Sequence, residues 1–412
     1  MQSLYENPRT TSLRPKRLRA NNQRTISPAE NSQRVNRNSS RKTVVSKINV
    51  PIVGNIDYSI SVTVSLLVLI GIVMVFSSSY YTASLTGDPF QYFRRQAMAA
   101  VMGFCAMYIM ANLNYQYLKR LSIFLYLAAN VLLVVVQIVS PESSGPNRWL
   151  YVPMINLSFQ PSEVAKAGVI LFLSAILSNK KNILKSWLGF IVACFVAGAT
   201  CLLVAWGDFS TAIILAVIGF GIIFIASPYT MKFIVMGLAA AGGLVSYLIY
   251  GGDFRSARFH AWLDPYSVAS TFGWQIRQSL YAIGSGGFFG LGLGQSRQKL
   301  GFIPEAHNDI IFSVIVEELG FMGATLILIF FAIVIIRGIR AAIYAVDTFG
   351  SLVASGIVLM IGSQVVINVG VVTNSIPNTG VTLPFISYGG TSLAITMFLI
   401  GILLNISRQS KI

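Results

Sequence analysis

The chain has 412 residues, 54% of them hydrophobic and only 11% charged, whereas a soluble domain carries about a quarter charged residues. That balance excludes an ordinary water-soluble protein and points to a chain built within lipid. The net charge of +16 is concentrated at the start, where residues 1–50 hold eleven Lys/Arg against Glu6 and Glu30.

This first segment has no apolar core of the kind a cleaved signal peptide needs. Residues 1–57 therefore read as a basic, disordered tail. Control of topology and attraction to anionic lipid explain its charge better than nucleic-acid binding, so no nucleic-acid partner is expected.

Apolar stretches then recur at the length of a bilayer core, about 20 residues each. They predict an all-α, polytopic membrane protein of about ten spanning helices, because lipid forces the backbone to satisfy its own polar groups. The spans are 58–76, 96–112, 121–139, 162–178, 187–204, 210–226, 232–250, 309–336, 350–374 and 388–406. The fifth and sixth are separated only by Trp206 to Phe209, and the eighth begins with charged residues. Lys119, Arg120, Lys180, Lys181, Lys185, Lys232, Arg337, Arg340, Arg408 and Lys411 fall on one side of such a bundle. The positive-inside rule makes that side cytoplasmic, with both termini there and 408–412 as a short C-terminal segment. Arg94 and Arg95 break the pattern at the outer end of the second span. Cys105, Cys194 and Cys201 sit in apolar spans without metal-like spacing and read as small core residues.

Two places carry more than packing. Residues 251–308 form a large extracellular loop between spans seven and eight, rich in aromatics and holding both histidines, His260 and His307. Its Arg255, Arg258, Arg277, Arg297 and Lys299 form a basic group suited to phosphate, since a guanidinium offers paired donors to anionic oxygens. The run Gly284 to Gly294 lacks the strand and Lys-Ser/Thr of a nucleotide loop, and reads as close packing or a re-entrant turn. The second place is the start of span four, where Glu163 and Lys166 lie three apart on one helical face. Charges at that depth face a cavity or a partner, and an internal ion pair that only fixes helix packing explains them equally well. Glu317 and Glu318, inside the eighth span, are expected to brace the loop.

Such features suit an enzyme acting on a lipid-linked phosphate, a transporter of an amphipathic anion, or a scaffold for other membrane proteins. A one-step inverting glycosyl transfer needs a single carboxylate base, plus cations to stabilise the departing pyrophosphate. Asp264, among the aromatic rings of the 260–266 segment, is the candidate base, because desolvation by those rings would raise its basicity. Taken alone, its local sequence favours a plain Asp-Pro turn.

From residue 57 to 407 the chain resembles the SEDS family (shape, elongation, division and sporulation), which includes FtsW, RodA and SpoVE. The resemblance rests on Asn147-Arg148-Trp149, Phe159 to Lys166, Arg255 to Pro265, Ala282 to Gly287, Pro304 to Asp309, Glu317 to Gly320, and Leu383 to Gly390. Gly292 to Lys299 is more similar to the FtsW branch. The resemblance implies a peptidoglycan glycosyltransferase that polymerises lipid II, releases undecaprenyl pyrophosphate and extends an undecaprenyl-pyrophosphate-linked glycan. It implies a place in the plasma membrane, at the division septum for the FtsW branch. It also implies a class B penicillin-binding protein as transpeptidase partner, among other divisome or elongation proteins. The family's loop aspartate maps onto Asp264 as the catalytic base, and Arg148, Trp149, Glu163, Lys166, Arg255, Arg258, Glu305, His307 and Asp309 map onto motif positions that would bind substrate. A divalent cation, Mg or Mn, would suit the leaving group, though no ligand spacing specifies one. Lipid II flippase and non-catalytic scaffold are the alternatives. Asn374 to Gly380 replaces a more apolar Gly-Leu-Leu-Pro-Val-Thr-Gly, a departure that touches local packing.

Overall fold

The structure, a computed structural model, describes residues 54–139, 150–152, 157–179, 183–227, 231–233, 235, 237, 260–266 and 271–410. Their architecture is helical. The helices are α1 (Tyr58–Leu85), α2 (Gln91–Asn112), α3 (Gln116–Val139), α4 (Pro161–Asn179), α5 (Trp187–Gly207), α6 (Phe209–Ala226), α7 (Thr271–Gly286), α8 (Ile311–Ile343), α9 (Thr348–Val372) and α10 (Gly390–Gln409). Eight of them, all but α2 and α7, are long and apolar enough to cross a membrane. The chain is an integral membrane protein. Span two corresponds to α2, which carries Arg94 and Arg95 in its first turn, and the span expected at 232–250 lies mostly outside the described residues. One small exception to the all-α expectation is an antiparallel pair, β1 (Leu150–Val152) with β2 (Leu157–Phe159), registered Leu150 to Phe159.

Helix α4 is the hub. It packs against α3, α5, α6, α9 and α10, and most of its residues are buried. Around it α10 lies along α2, and α8 meets α9, α7 and α1. Asp208 alone separates α5 from α6. It caps α6 by accepting from the Thr211 amide (3.2 Å) and hydroxyl (2.8 Å), so a turn with no loop still satisfies its donors.

Cationic side chains gather at one end of the bundle. There Arg408 donates to the Gly54 carbonyl and to Asn112, Tyr115 donates to Asp347, and Arg337 lies 3.8 Å from Asp57. Residues 305–309 and 378–389, with the starts of α2, α4 and α6, form the other end.

Helix α8 is not continuous. Gly320 has φ 69° and ψ −172°, which breaks the helix after Leu319. A broken helix within lipid must find new partners for its freed backbone groups, and the glycine-rich segment supplies them. Leu291 and Gly292 amides donate to the carbonyls of Glu317 (2.9 Å) and Glu318 (3.0 Å), while Phe321 and Met322 donate to those of Gly287 (2.9 Å) and Phe288 (3.1 Å). The two backbones touch: a Cβ at Gly290 would stand 2.2 Å from the Glu318 carbonyl oxygen, and one at Gly320 would stand 2.3 Å from the Gly290 nitrogen. Within the run Gly284 to Gly294, Gly286 and Gly290 provide this close backbone packing.

The carboxylates expected to brace the loop do so. Buried Glu318 accepts from Ser77 (2.7 Å), the Gly294 amide (2.9 Å) and Lys299 (2.6 Å). Glu317 accepts from the Ser296 hydroxyl (2.5 Å) and the Arg297 amide (3.0 Å).

Candidate active site

Opposite the basic end, a cavity of about 510 Å³ opens between the helices. Glu163 and Lys166 line it from the first two turns of α4, with Asp208 and Thr211 from the cap and start of α6, Arg95 from α2, and Glu305 and Asp309 from the segment before α8. Four of the residues assigned to substrate from the sequence, Glu163, Lys166, Glu305 and Asp309, are thus brought to one chamber.

Lys166 and Glu163 form an ion pair at 2.9 Å, both buried, which meets the spacing argument. The pair faces the cavity as well as bracing α4, so the two explanations offered for it describe one arrangement. Nearby, Gln160 donates to Asp208 at 3.4 Å. The far wall is held by amide side chains. Asn368 of α9 donates to the carbonyls of Asp309 (2.6 Å) and Val381 (2.7 Å), Asn378 donates to Gln275 (3.1 Å), and Asn308 donates to Glu305 (2.6 Å). Fully buried Gln96, one residue past Arg95, donates to the Ser387 carbonyl and accepts from the Gly389 amide, both at 3.3 Å. Through Gln96, Gln275 and Asn368 these bonds fix the wall's loops to α2, α7 and α9, as a site of fixed shape requires.

Arg95 is the residue that the sequence reading missed as a site member. Its signal was present as a breach of charge topology, since two arginines stood at the wrong end of a span. The structure separates them: exposed Arg94 pairs with Asp88, whereas half-buried Arg95 turns to the cavity. No carboxylate lies at ion-pair distance from Arg95 among the described residues. Among the described cavity-lining residues, Lys166 is paired with Glu163, and Arg95 is a second cation facing the chamber with no carboxylate at ion-pair distance.

Of the basic group expected in the large loop, the three described members, Arg277, Arg297 and Lys299, do not line the cavity. Lys299 is buried and committed to Glu318, Arg277 stacks 5.6 Å above Trp274, and Arg297 is exposed. Lys299 and Arg277 are thus used by the loop's own packing. Arg148, Trp149, Arg255 and Arg258 lie outside the described residues. His307 does not line the cavity. Its ring is buried against Tyr92 (centroids 4.3 Å apart) and Tyr388 (5.4 Å), and its carbonyl accepts from the Tyr388 amide at 2.9 Å. Burial lowers its pKa from 6.5 to about 4, so it is a neutral packing group at pH 7 and no phosphate cation.

Asp264 follows a helical turn at His260 to Leu263 and accepts from the Tyr266 amide at 3.0 Å, the local turn that its sequence favours. Its side chain is exposed, which corrects the expectation that aromatic rings desolvate it. Neighbouring Trp262 is tied to the cavity wall: its indole donates to the Asn374 carbonyl (3.1 Å), and the Asn374 amide donates back to the Trp262 carbonyl (3.2 Å). Asn374 begins the segment that continues into cavity-lining Asn378, Thr379 and Gly380.

Among the described residues no three His, Cys, Asp or Glu side chains gather as a metal would require.

Comparison with known proteins joins this geometry to a family. The family model described as cell cycle protein, FtsW/RodA/SpoVE, matches residues 57–412. Stage V sporulation protein E of Bacillus subtilis (strain 168) is 41% identical over 360 residues, covering 86% of this chain and 98% of that protein. A probable peptidoglycan glycosyltransferase FtsW of Geobacter sp. (strain M18) is 37% identical over 351 residues, covering 84% and 95%. Among solved structures, a chain from a study of polymerization and crosslinking by a peptidoglycan synthase complex superposes with a TM-score of 0.71 at 28% identity, covering 86% of this chain and 98% of that one. Thermus thermophilus RodA superposes with a TM-score of 0.64 at 26% identity, covering 87% and 98%. The chain belongs to the FtsW/RodA/SpoVE family.

Proposed function

We propose that this protein is a peptidoglycan glycosyltransferase that polymerises lipid II into glycan strands at the outer face of the plasma membrane. The observation that carries the reading is the polar cavity at the end of the bundle remote from its cationic cluster, holding Arg95 and Lys166 where a lipid-linked pyrophosphate would sit. Relatives named peptidoglycan glycosyltransferase, aligned over most of both chains, support it.

In this mechanism Asp264 takes the proton of the acceptor GlcNAc 4-hydroxyl. The freed oxygen attacks the anomeric carbon of the growing strand's MurNAc, the bond to the pyrophosphate breaks, and undecaprenyl pyrophosphate leaves with inversion from α to β. Arg95 and Lys166 donate hydrogen bonds to the departing pyrophosphate, where charge develops. Arg255 and Arg258, assigned by the family resemblance, would add to that grip, and Arg148 and Trp149 would bind substrate. Glu305 and Asp309, fixed at the mouth by Asn308 and Asn368, orient the sugar hydroxyls.

Both termini lie in the cytoplasm in this reading, with residues 1–57 as a cytoplasmic tail, because Lys119, Arg337, Arg340 and Arg408 share the end opposite the cavity. The partner is a single-span class B penicillin-binding protein that crosslinks the strands at the division septum. Support comes from the structural neighbour, studied as a complex that couples polymerization and crosslinking.

The test is lipid II polymerisation by purified protein with its transpeptidase partner, comparing wild type with Asp264→Asn. Loss of the base lowers the rate roughly 10²–10⁴-fold. Normal strands from the variant would overturn the base assignment, and lipid II movement between leaflets with no glycan from wild type would overturn the enzyme reading.

A further inference from the structure

At the basic end, far from the cavity just described, a second hollow of about 460 Å³ lies between α1 and α8. Its walls are aliphatic and membrane-facing: Val62 is 55% exposed and Ile336 53% exposed, with Ile333 beside them. Arg337 and Arg340 of α8 line it together with Ser59, Val62 and Thr63 of α1. No carboxylate lines the hollow among the described residues. Arg337 has one acidic neighbour, Asp57, at a loose 3.8 Å.

We propose that this groove binds an acidic phospholipid, the phosphate on the two guanidinium groups and an acyl chain along the aliphatic wall. Charge topology calls for basic residues at this end, but it does not call for two arginines three residues apart on one helix face that meet a concave neighbour. Arginine matches a phosphodiester better than lysine does, because its planar fork donates two parallel hydrogen bonds. Beside the two arginines the groove is lined by Val62, Ile333 and Ile336, an aliphatic surface suited to an acyl chain. Two cations against one distant carboxylate leave the hollow net positive, so an anionic headgroup is favoured over a zwitterionic one. The role is independent of the polymerase reaction.

The experiment uses the full chain, delipidated in detergent. Phosphatidylglycerol, phosphatidylcholine and inorganic phosphate are titrated separately, with bound lipid counted by native mass spectrometry and the thermal midpoint recorded. Wild type should retain phosphatidylglycerol in preference to phosphatidylcholine. Arg337→Gln and Arg340→Gln should each weaken that binding about fivefold, and the pair about 25-fold, as expected for ~1 kcal/mol per cation. Should the Gln variants fail to fold, the Arg337→Lys, Arg340→Lys pair decides, because it keeps the charge and loses the fork; it should bind more weakly than wild type. Equal retention of both lipids, unchanged binding in the variants, or stabilisation by inorganic phosphate equal to that by lipid would each overturn the proposal.

Discussion

Replacing Glu318 by Gln changes almost no volume, yet it should be among the most damaging single substitutions in the membrane core. Glu318 is 1% exposed and Lys299 6% exposed, and their charged atoms stand 2.6 Å apart. The same carboxylate accepts from Ser77 and from the Gly294 amide. An amide there brings an NH2 group against these donors and leaves the ammonium of Lys299 buried without a counter-charge. Breaking one side of such a pair costs roughly 3–5 kcal/mol. Trp274, whose indole donates to the Phe302 carbonyl at 2.8 Å, lies within the same loop and reports its unfolding by fluorescence in detergent. Glu318→Gln should lower stability by that amount, and adding Lys299→Met should recover most of it, because the orphaned cation is then gone. A loss below about 1 kcal/mol, or a double variant no better than the single one, would refute the claim that this ion pair anchors the loop to the broken helix.

Arg95→Gln should lower kcat/KM for lipid II polymerisation about 10- to 100-fold, the worth of one charge-assisted hydrogen bond, while Arg94→Gln at the exposed Asp88 pair leaves it unchanged. Gly320→Ala should destabilise by ~3 kcal/mol or more, since φ is +69° and the new methyl would meet Gly290; Gly284→Ala, with nothing within 4 Å, serves as the neutral control in the same thermal assay. His307 is buried neutral with its pKa lowered to about 4, so below 6.5 the unfolded chain binds a proton that the folded one refuses. Stability should therefore fall with decreasing pH between about 6.5 and 4, by at most ~1.4 kcal/mol per pH unit, and denaturant titrations across that window should show a shallower slope for His307→Gln.

The helices were legible because bilayer thickness imposes a length that composition alone reveals. Helix α4 runs Pro161–Asn179 against an expected 162–178, and α6 runs Phe209–Ala226 against 210–226. The misses share a cause. The expected first span ended at 76, but α1 continues to Leu85, because Ser77 and Ser78 look like an exit from lipid while both are buried by protein. Within the site, hydropathy and spacing found Glu163 and Lys166, which are neighbours on one helix. They could not say that Lys299 turns inward to Glu318, nineteen residues away, or that Arg95 alone of two adjacent arginines faces the chamber. Which of several like charges reaches a site depends on tertiary partners, and those carry no local periodicity.

The departure at Asn374 shows how a substitution can keep a backbone and add a contact. The family pattern places glycine there, and Asn374 has φ 56°, the left-handed region that glycine enters freely and asparagine tolerates better than most residues. Asparagine thus preserves the turn after α9. Its side chain also donates to the Trp262 carbonyl, and its own carbonyl accepts from the Trp262 indole. Two hydrogen bonds across 112 residues tie the segment bearing Asp264 to the strip that ends in Asn378, Thr379 and Gly380 at the cavity. An exposed acid can serve a buried chamber only if its distance from that chamber is held, and this paired contact restrains the backbone two residues before Asp264. In the proposed mechanism the more polar sequence at 374–380 would therefore help to position Asp264, a role that a reading of that segment as local packing alone would overlook.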